Sequence, residues 1–166
     1  RMVLYTRPFG SAAASAERGI KEMESSMGVE QSSQYSNTNP AGQASSGKKT
    51  ALVDVQWSSP FLTVRPAGPQ IGQRESPIIT DEVMPFFRQA GKSLKVLVLD
   101  LSDVTFMSSM GLGMCIAFRN QASAVGAKSV LFGVSAELLK LLAMMKIEKL
   151  YSIARNEDDL KTHLRD

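Results

Sequence analysis

Residues 97–113 read LVLDLSDVTFMSSMGLG, and three successive elements can be read from them. With Val96, the run Val96-Leu97-Val98-Leu99 is continuously apolar, as expected of a strand covered on both faces. Asp103-Val104-Thr105-Phe106-Met107-Ser108-Ser109 then breaks the pattern and reads as a loop ending in a helix cap. Beyond it Gly111, Cys115, Phe118, Ala122 and Val125 recur at spacings of four, three, four and three, the period of a buried helical stripe. Gly126 stops that helix.

The same alternation of strand and helix extends in both directions. Downstream, Val130-Leu131-Phe132 is another buried strand. Ser135-Ala136-Glu137-Leu138 opens a helix with a capping serine, and carries Leu138, Leu141, Leu142 and Met145 inward. A short strand at Leu150–Ile153 and a last helix from Asp158 to Leu164 follow. Upstream, Val53, Val55 and Trp57 alternate with Asp54 and Gln56, the period of a half-buried strand with Trp57 in the core. Phe61-Leu62-Thr63-Val64 follows Ser58-Ser59-Pro60 and completes a hairpin. Pro66, Gly68, Pro69 and Gly72 mark an irregular connection. Ile79, Val83, Phe86 and Ala90 make a helical stripe that Thr80 or Asp81 is placed to cap and Gly91 to end. Pro85 within it predicts a late start or a kink. The order is β-β-α-β-α-β-α-β-α: an α/β fold of about five strands with about four helices packed on the sheet.

The N-terminal part differs in texture. From Ser25 to Thr50, 18 of 26 residues are Ser, Thr, Gly, Gln, Asn or Pro, with no Leu, Ile, Phe or Trp. Such a stretch cannot bury enough apolar surface to offset its ordering entropy. Residues 1–50 are therefore expected to be a flexible Ser/Gly/Gln-rich tail, and 51–166 the domain. Ser15–Met23 is a candidate short helix, marginal in isolation. The first residues are too short for a signal peptide's apolar core, and the four glutamates from Glu17 to Glu30 argue against a transit peptide. The chain opens on Arg1, and part of this end is expected to be a cloning remnant.

Composition excludes several function classes. The chain carries 19 Lys+Arg against 16 Asp+Glu, a formal charge of +3. Residues 1–50 hold 6 basic and 4 acidic groups and residues 51–166 hold 13 and 12, so no clustered basic footprint marks a nucleic-acid partner. No apolar run approaches the roughly 20 residues of a membrane span, so direct membrane insertion is not expected. One cysteine and one histidine exclude disulfides, Cys-rich metal sites and His-pair zinc motifs. A nucleophile elbow needs a glycine where Met107 stands, and a dinucleotide fingerprint needs one where Ile116 stands. Asp100 reads as structural, since a receiver-type phosphoacceptor lacks its earlier acidic pair and later lysine. Cys115 reads as an inert core thiol, His163 as a surface residue near a helix C-terminus, and Met144-Met145 as packing. Lys140, Lys146 and Lys149 read as an ordinary solvated face rather than a phosphate clamp.

The segment 97–113 resembles the STAS domain, shared by sulphate transporters and anti-sigma-factor antagonists. That family's pattern is an apolar strand ending in Asp/Asn-Leu-Ser, then a Phe-(Ile/Met)-Asp-Ser-Ser-Gly-Leu-Gly loop entering a helix. The match runs through Gly126, the strand at 130–132, the helix at 135–145 and Leu150-Tyr151, and covers roughly residues 51–166. The resemblance implies a STAS-like mixed β-sheet. Ser109 falls where the family carries its phosphorylatable serine. Gly111 and Gly113 match its glycines, and Leu112 the leucine between them. Two positions depart: Ser108 replaces the usual Asp, and Met110 stands where a second Ser is common.

The local physics is compatible with a switch. A serine at a helix N-terminus lies near unsatisfied N–H groups and the positive end of the dipole. Ser108 can cap. The two glycines admit close approach by a partner, and Met110, Leu112 and Met114 are expected to form an adaptable apolar contact patch. The partner-binding set is thus Ser108, Ser109, Met110, Gly111, Leu112, Gly113 and Met114. Thr105 is a second phosphorylation candidate, though it reads first as a loop hydroxyl that satisfies backbone. The bland alternative is that Ser108 and Ser109 are only caps and the glycines serve helix–sheet packing.

By resemblance to the antagonists, the protein is expected to be a cytoplasmic, non-enzymatic regulator. It would need no cofactor and no metal. Unphosphorylated, it would bind an anti-sigma factor with serine/threonine kinase activity and free the sigma factor. Phosphorylation at Ser109 would switch it off and a serine phosphatase would reset it. The alternatives are a non-phosphorylated STAS scaffold subunit of a sensor (stressosome-like) or lipid-transport complex, and a small-molecule or nucleotide-sensing domain.

Overall fold

The alternation at Val53, Val55 and Trp57 is realised in strand β2, Val53–Ser58, where these three side chains are buried and Asp54 and Gln56 are half-buried. The computed structural model describes residues 45–165 of the chain. The candidate helix at 15–23 and the tail up to residue 44 lie outside the described residues. Strand β3, Phe61–Pro66, pairs antiparallel with β2 and sets Leu62 opposite Trp57 and Val64 opposite Val55. The next strands are β4 (Gln70–Ile71), β5 (Val96–Asp100), β6 (Phe106–Met107), β7 (Lys128–Phe132) and β8 (Ser152–Ala154). Every residue of β5 is buried, as its unbroken apolar run requires of a central parallel strand.

The sheet has six strands rather than about five. The added one is β1, Ser45–Lys49, which pairs antiparallel with β2 at the edge. The domain therefore begins before residue 51, and the last residues of the expected tail belong to it. Its sequence, SSGKK, has no apolar alternation to reveal a strand. Backbone pairing, a Ser46 Oγ bond to Gln89 Oε1 at 3.0 Å and an ion pair from Lys48 to Glu82 hold it. The order is β1-β2-β3-β5-β7-β8, antiparallel through β3 and parallel from β3 to β8. Strands β4 and β6 form a separate two-stranded parallel ribbon.

Helices α1 (Glu75–Ala90), α2 (Ser109–Ala124) and α3 (Ala136–Met144) share one hydrophobic core with Leu97, Leu99 and Leu131. The rings of Phe87 and Phe118 meet in it, with centroids 5.9 Å apart. The alternate strand residues Val96, Val98 and Val130 are buried outside that core. They lie on the opposite face, which carries α4 (Glu157–Arg165) with Leu160 buried against β7 and β8.

Two helix ends differ from expectation. Helix α1 starts at Glu75, so Thr80 and Asp81 lie inside it and cap nothing. The Glu75 carboxylate instead accepts the Gly72 N–H at 2.9 Å, and buried Ser76 donates its hydroxyl to the Gly72 carbonyl at 2.6 Å. Pro85 is carried in the helix interior on the exposed side, opposite the buried stripe. A proline there costs about 3 kcal/mol, and burial of Ile79, Val83, Phe86 and Phe87 outweighs it. At α3 the stripe stops at Leu142. Lys146 turns the chain in the left-handed region (φ 58°), Ile147 takes the next core place, and Met144 and Met145 are left exposed rather than packed.

Candidate functional site

The strand–loop–helix of residues 97–113 is held from two sides. At the end of β5, buried Asp100 accepts the Ser102 N–H at 2.9 Å and the Ser102 hydroxyl at 2.5 Å, the structural task expected of it. From β3, Arg65 Nε donates to Asp103 at 2.8 Å, and its Nη1 lies 3.9 Å from Asp100. The Asp103 bond raises the pKa of the Arg65 guanidinium against the opposing effect of its partial burial. From the other side the Pro69 carbonyl takes three donors: Thr105 N–H at 2.8 Å, Thr105 hydroxyl at 3.0 Å and Phe106 N–H at 3.2 Å. Thr105 thus satisfies backbone, as its loop position suggested. The Ser108 N–H then reaches the Ile71 carbonyl at 2.9 Å.

This clamp delivers the chain to the start of α2 in a fixed orientation. Ser108 is the N-cap in extended conformation (φ −75°, ψ 173°), and its hydroxyl accepts the Gly111 N–H at 3.4 Å. Ser109 is the first helical residue and is exposed. Gly111 is buried against the β4/β6 ribbon: a Cβ there would sit 3.0 Å from the Ile71 carbonyl oxygen and 3.2 Å from the Met107 Cβ. At Gly113 a Cβ would meet nothing within 4 Å, so that glycine opens outward.

The proposed contact set is therefore split by the fold. Ser109, Met110 (48% exposed) and Gly113 lie on the outer surface. Leu112 and Met114 are only 5% and 3% exposed and belong to the core, so the expected Met110–Leu112–Met114 patch does not exist as a surface. The reason is that α2 packs against both the sheet and α1, which covers Leu112 and Met114 as well as the stripe through Gly111, Cys115 and Phe118. The surface gains a residue absent from the sequence-derived set. Phe106 is 52% exposed, three positions before Ser109, while Met107 beside it is buried. A two-residue strand is too short for its alternation to show in sequence.

Behind the site, Cys115 is fully buried, and burial pushes its thiol up to about 12. Its sulfur lies 3.7 Å from that of Met107, and its carbonyl accepts the buried Tyr151 hydroxyl at 2.6 Å. Burial likewise raises the Tyr151 pKa. Among the described residues no group of three or more His, Cys, Asp or Glu side chains could hold a metal ion. Among them, too, no helix is long and apolar enough to cross a membrane.

The geometry has counterparts among solved structures. An anti-sigma-factor antagonist (STAS) domain protein from Planctomyces limnophilus matches with a TM-score of 0.60 and 13% identity, over 70% of this chain and 98% of that one. An anti-sigma factor antagonist from Mycobacterium paratuberculosis matches with a TM-score of 0.54 and 18% identity, over 78% and 99%. A murine anion transporter of the Solute Carrier 26 family in its inward-facing state matches with a TM-score of 0.56 and 16% identity, over 65% of this chain and 18% of the transporter. At these identities the likeness is one of fold. No curated protein matches the chain in sequence. The STAS domain profile matches residues 46–160, from β1 to Leu160 of α4. With the strand–loop–helix at 97–113 and the mixed sheet around it, the chain belongs to the STAS domain family.

Proposed function

We propose that this chain is a non-enzymatic switch of the anti-sigma-factor antagonist type, working in the cytoplasm. With Ser109 unmodified it binds an anti-sigma factor that is also a serine/threonine kinase. Phosphorylation of Ser109 ends that binding, and a serine phosphatase restores it. The observation that carries this reading is the placement of Ser109: exposed at the first position of α2, between a hydrogen-bonded cap and an outward-opening glycine.

In the switching step the Ser109 oxygen attacks the γ-phosphorus of ATP, an O–P bond forms, ADP leaves and the hydroxyl proton passes to solvent. The product carries about −1.5 to −2 charges at a helix start whose N–H groups and dipole tolerate an anion. A partner seated over Phe106, Met110 and Gly113 would meet that charge against an apolar contact. Thr105 is exposed as well, but its hydroxyl is committed to Pro69, which favours Ser109 as the acceptor.

The test is incubation with ATP and the cognate kinase, followed by mass mapping and by binding to the Ser109→Asp variant. Phosphate on Ser109 and lost binding in the variant are expected. Phosphate absent from Ser109 together with unchanged binding of the variant would sink the switch. Two sequence features, Ser108 in place of the usual Asp and Met110 in place of Ser, favour a second reading: a non-phosphorylated scaffold subunit. Sizing the complex isolated from cells separates the two. A large stable assembly, or one containing transporter subunits, establishes the scaffold.

A further inference from the structure

At the opposite end of α2 from Ser109 lies a pocket of about 260 Å³. Arg119 of α2, Lys128 at the start of β7 and Lys149 in the turn before β8 line it, together with Ser123, Ser129 and Ser152. Ten residues of helix separate Ser109 from Arg119, a rise of roughly 15 Å, so the two sites are distinct. The pocket follows from strand register. Strand β8 begins with Ser152 opposite Val130, which leaves Lys128 and Ser129 at the start of β7 without a strand neighbour on that side.

Three cations from three different elements line the pocket and no carboxylate does; one guanidinium nitrogen of Arg119 also donates to Asn120 Oδ1 at 3.4 Å. That is a marked local excess in a region, residues 51–166, with 13 basic and 12 acidic groups. Among the described residues Lys128 and Lys149 enter none of the ion pairs. The hydroxyl of Tyr151, which also lines it, is spent on the Cys115 carbonyl, and three serines, Ser123, Ser129 and Ser152, complete the polar lining. A planar guanidinium and two ammonium groups beside serines make a lining suited to a tetrahedral oxyanion. The volume falls below the roughly 300–1,000 Å³ of pockets that enclose drug-sized ligands, which points to a small anion rather than a whole nucleotide.

We propose that this pocket binds the phosphate group of a small ligand, either free phosphate or a short phosphate monoester. The test is titration of the full chain with inorganic phosphate, with glycerol 3-phosphate and with chloride at matched ionic strength, followed by backbone amide NMR. Saturable shifts centred on Ser129, Ser152 and Lys128 are expected with the phosphates and not with chloride, and the tighter of the two phosphates identifies the source. The Lys128→Gln/Lys149→Gln double variant should bind at least about tenfold more weakly, since charge-assisted bonds are lost. Lys140→Gln, an exposed lysine outside the pocket, should bind as the parent does. Native amide dispersion verifies that the double variant is folded, and binding retained in Lys128→Arg/Lys149→Arg separates charge from shape. Equal shifts with chloride, non-saturating shifts spread over the surface lysines, or undiminished binding in the folded double variant would overturn the proposal.

Discussion

Ser108 and Ser109 are adjacent hydroxyls with different tasks. The Ser108 oxygen satisfies an N–H that the helix itself cannot, whereas Ser109 is exposed one residue later. Ser108→Ala should therefore lower stability by about 1 kcal/mol in urea unfolding. Ser109→Ala, at an exposed position, should change it by less than about 0.5 kcal/mol. The two glycines separate in the same way. Alanine at Gly113 enters open space and should stabilise the helix by up to about 1 kcal/mol. Alanine at Gly111 presses on the Ile71 backbone and should destabilise instead. If a partner docks on Gly113, Gly113→Ala weakens binding while raising the melting temperature, an outcome no folding defect produces. Cys115, buried with its thiol pushed up to about 12, should resist alkylation at pH 8 in the native chain and react on unfolding.

Among the elements, the β4/β6 ribbon positions the site, and it is the part least visible in the sequence. Two-residue strands have no measurable period, and the connection containing Pro66, Gly68, Pro69 and Gly72 reads only as irregular. Gly68 shows how tightly the ribbon is set: a Cβ there would fall 1.5 Å from the Asp103 carbonyl oxygen. Gly68→Ala should therefore displace the Asp103–Ser108 loop, detectable as amide shifts at Thr105 and Ser109 and as a loss of stability. The longer elements were legible for the opposite reason. Val96–Leu99 and the stripe Gly111, Cys115, Phe118 and Ala122 are buried as their spacing requires. Leu112 and Met114 misled because one stripe locates the most buried face of a helix without measuring its width. In α2 a second neighbour, α1, covers the flank.

For the whole molecule, the boundary is set by hydrogen bonding rather than hydrophobicity. Strand β1 adds backbone pairing to β2 and two side-chain ties to α1, yet three of its five residues are exposed. A chain begun at residue 44 should be more stable than one begun at residue 50 by about 1–3 kcal/mol, the net worth of a few hydrogen bonds. The shorter chain also bares the edge of β2 and should associate at high concentration, which light scattering would show. Composition alone placed Ser45–Lys49 in the tail because entropy arguments count apolar surface, and an edge strand can be held without much of it.

The three donors gathered on the Pro69 carbonyl bear on how Ser109 could be recognised. They tie residues 69 and 105–106, distant in the chain, into one rigid corner from which Ser109 projects. An enzyme that modifies Ser109 would then read a three-dimensional surface rather than a linear consensus. On the proposed phosphorylation of Ser109, a synthetic peptide of residues 101–114 should be a far poorer substrate than the folded chain, and heat-unfolded protein should not be phosphorylated although its serine is more accessible.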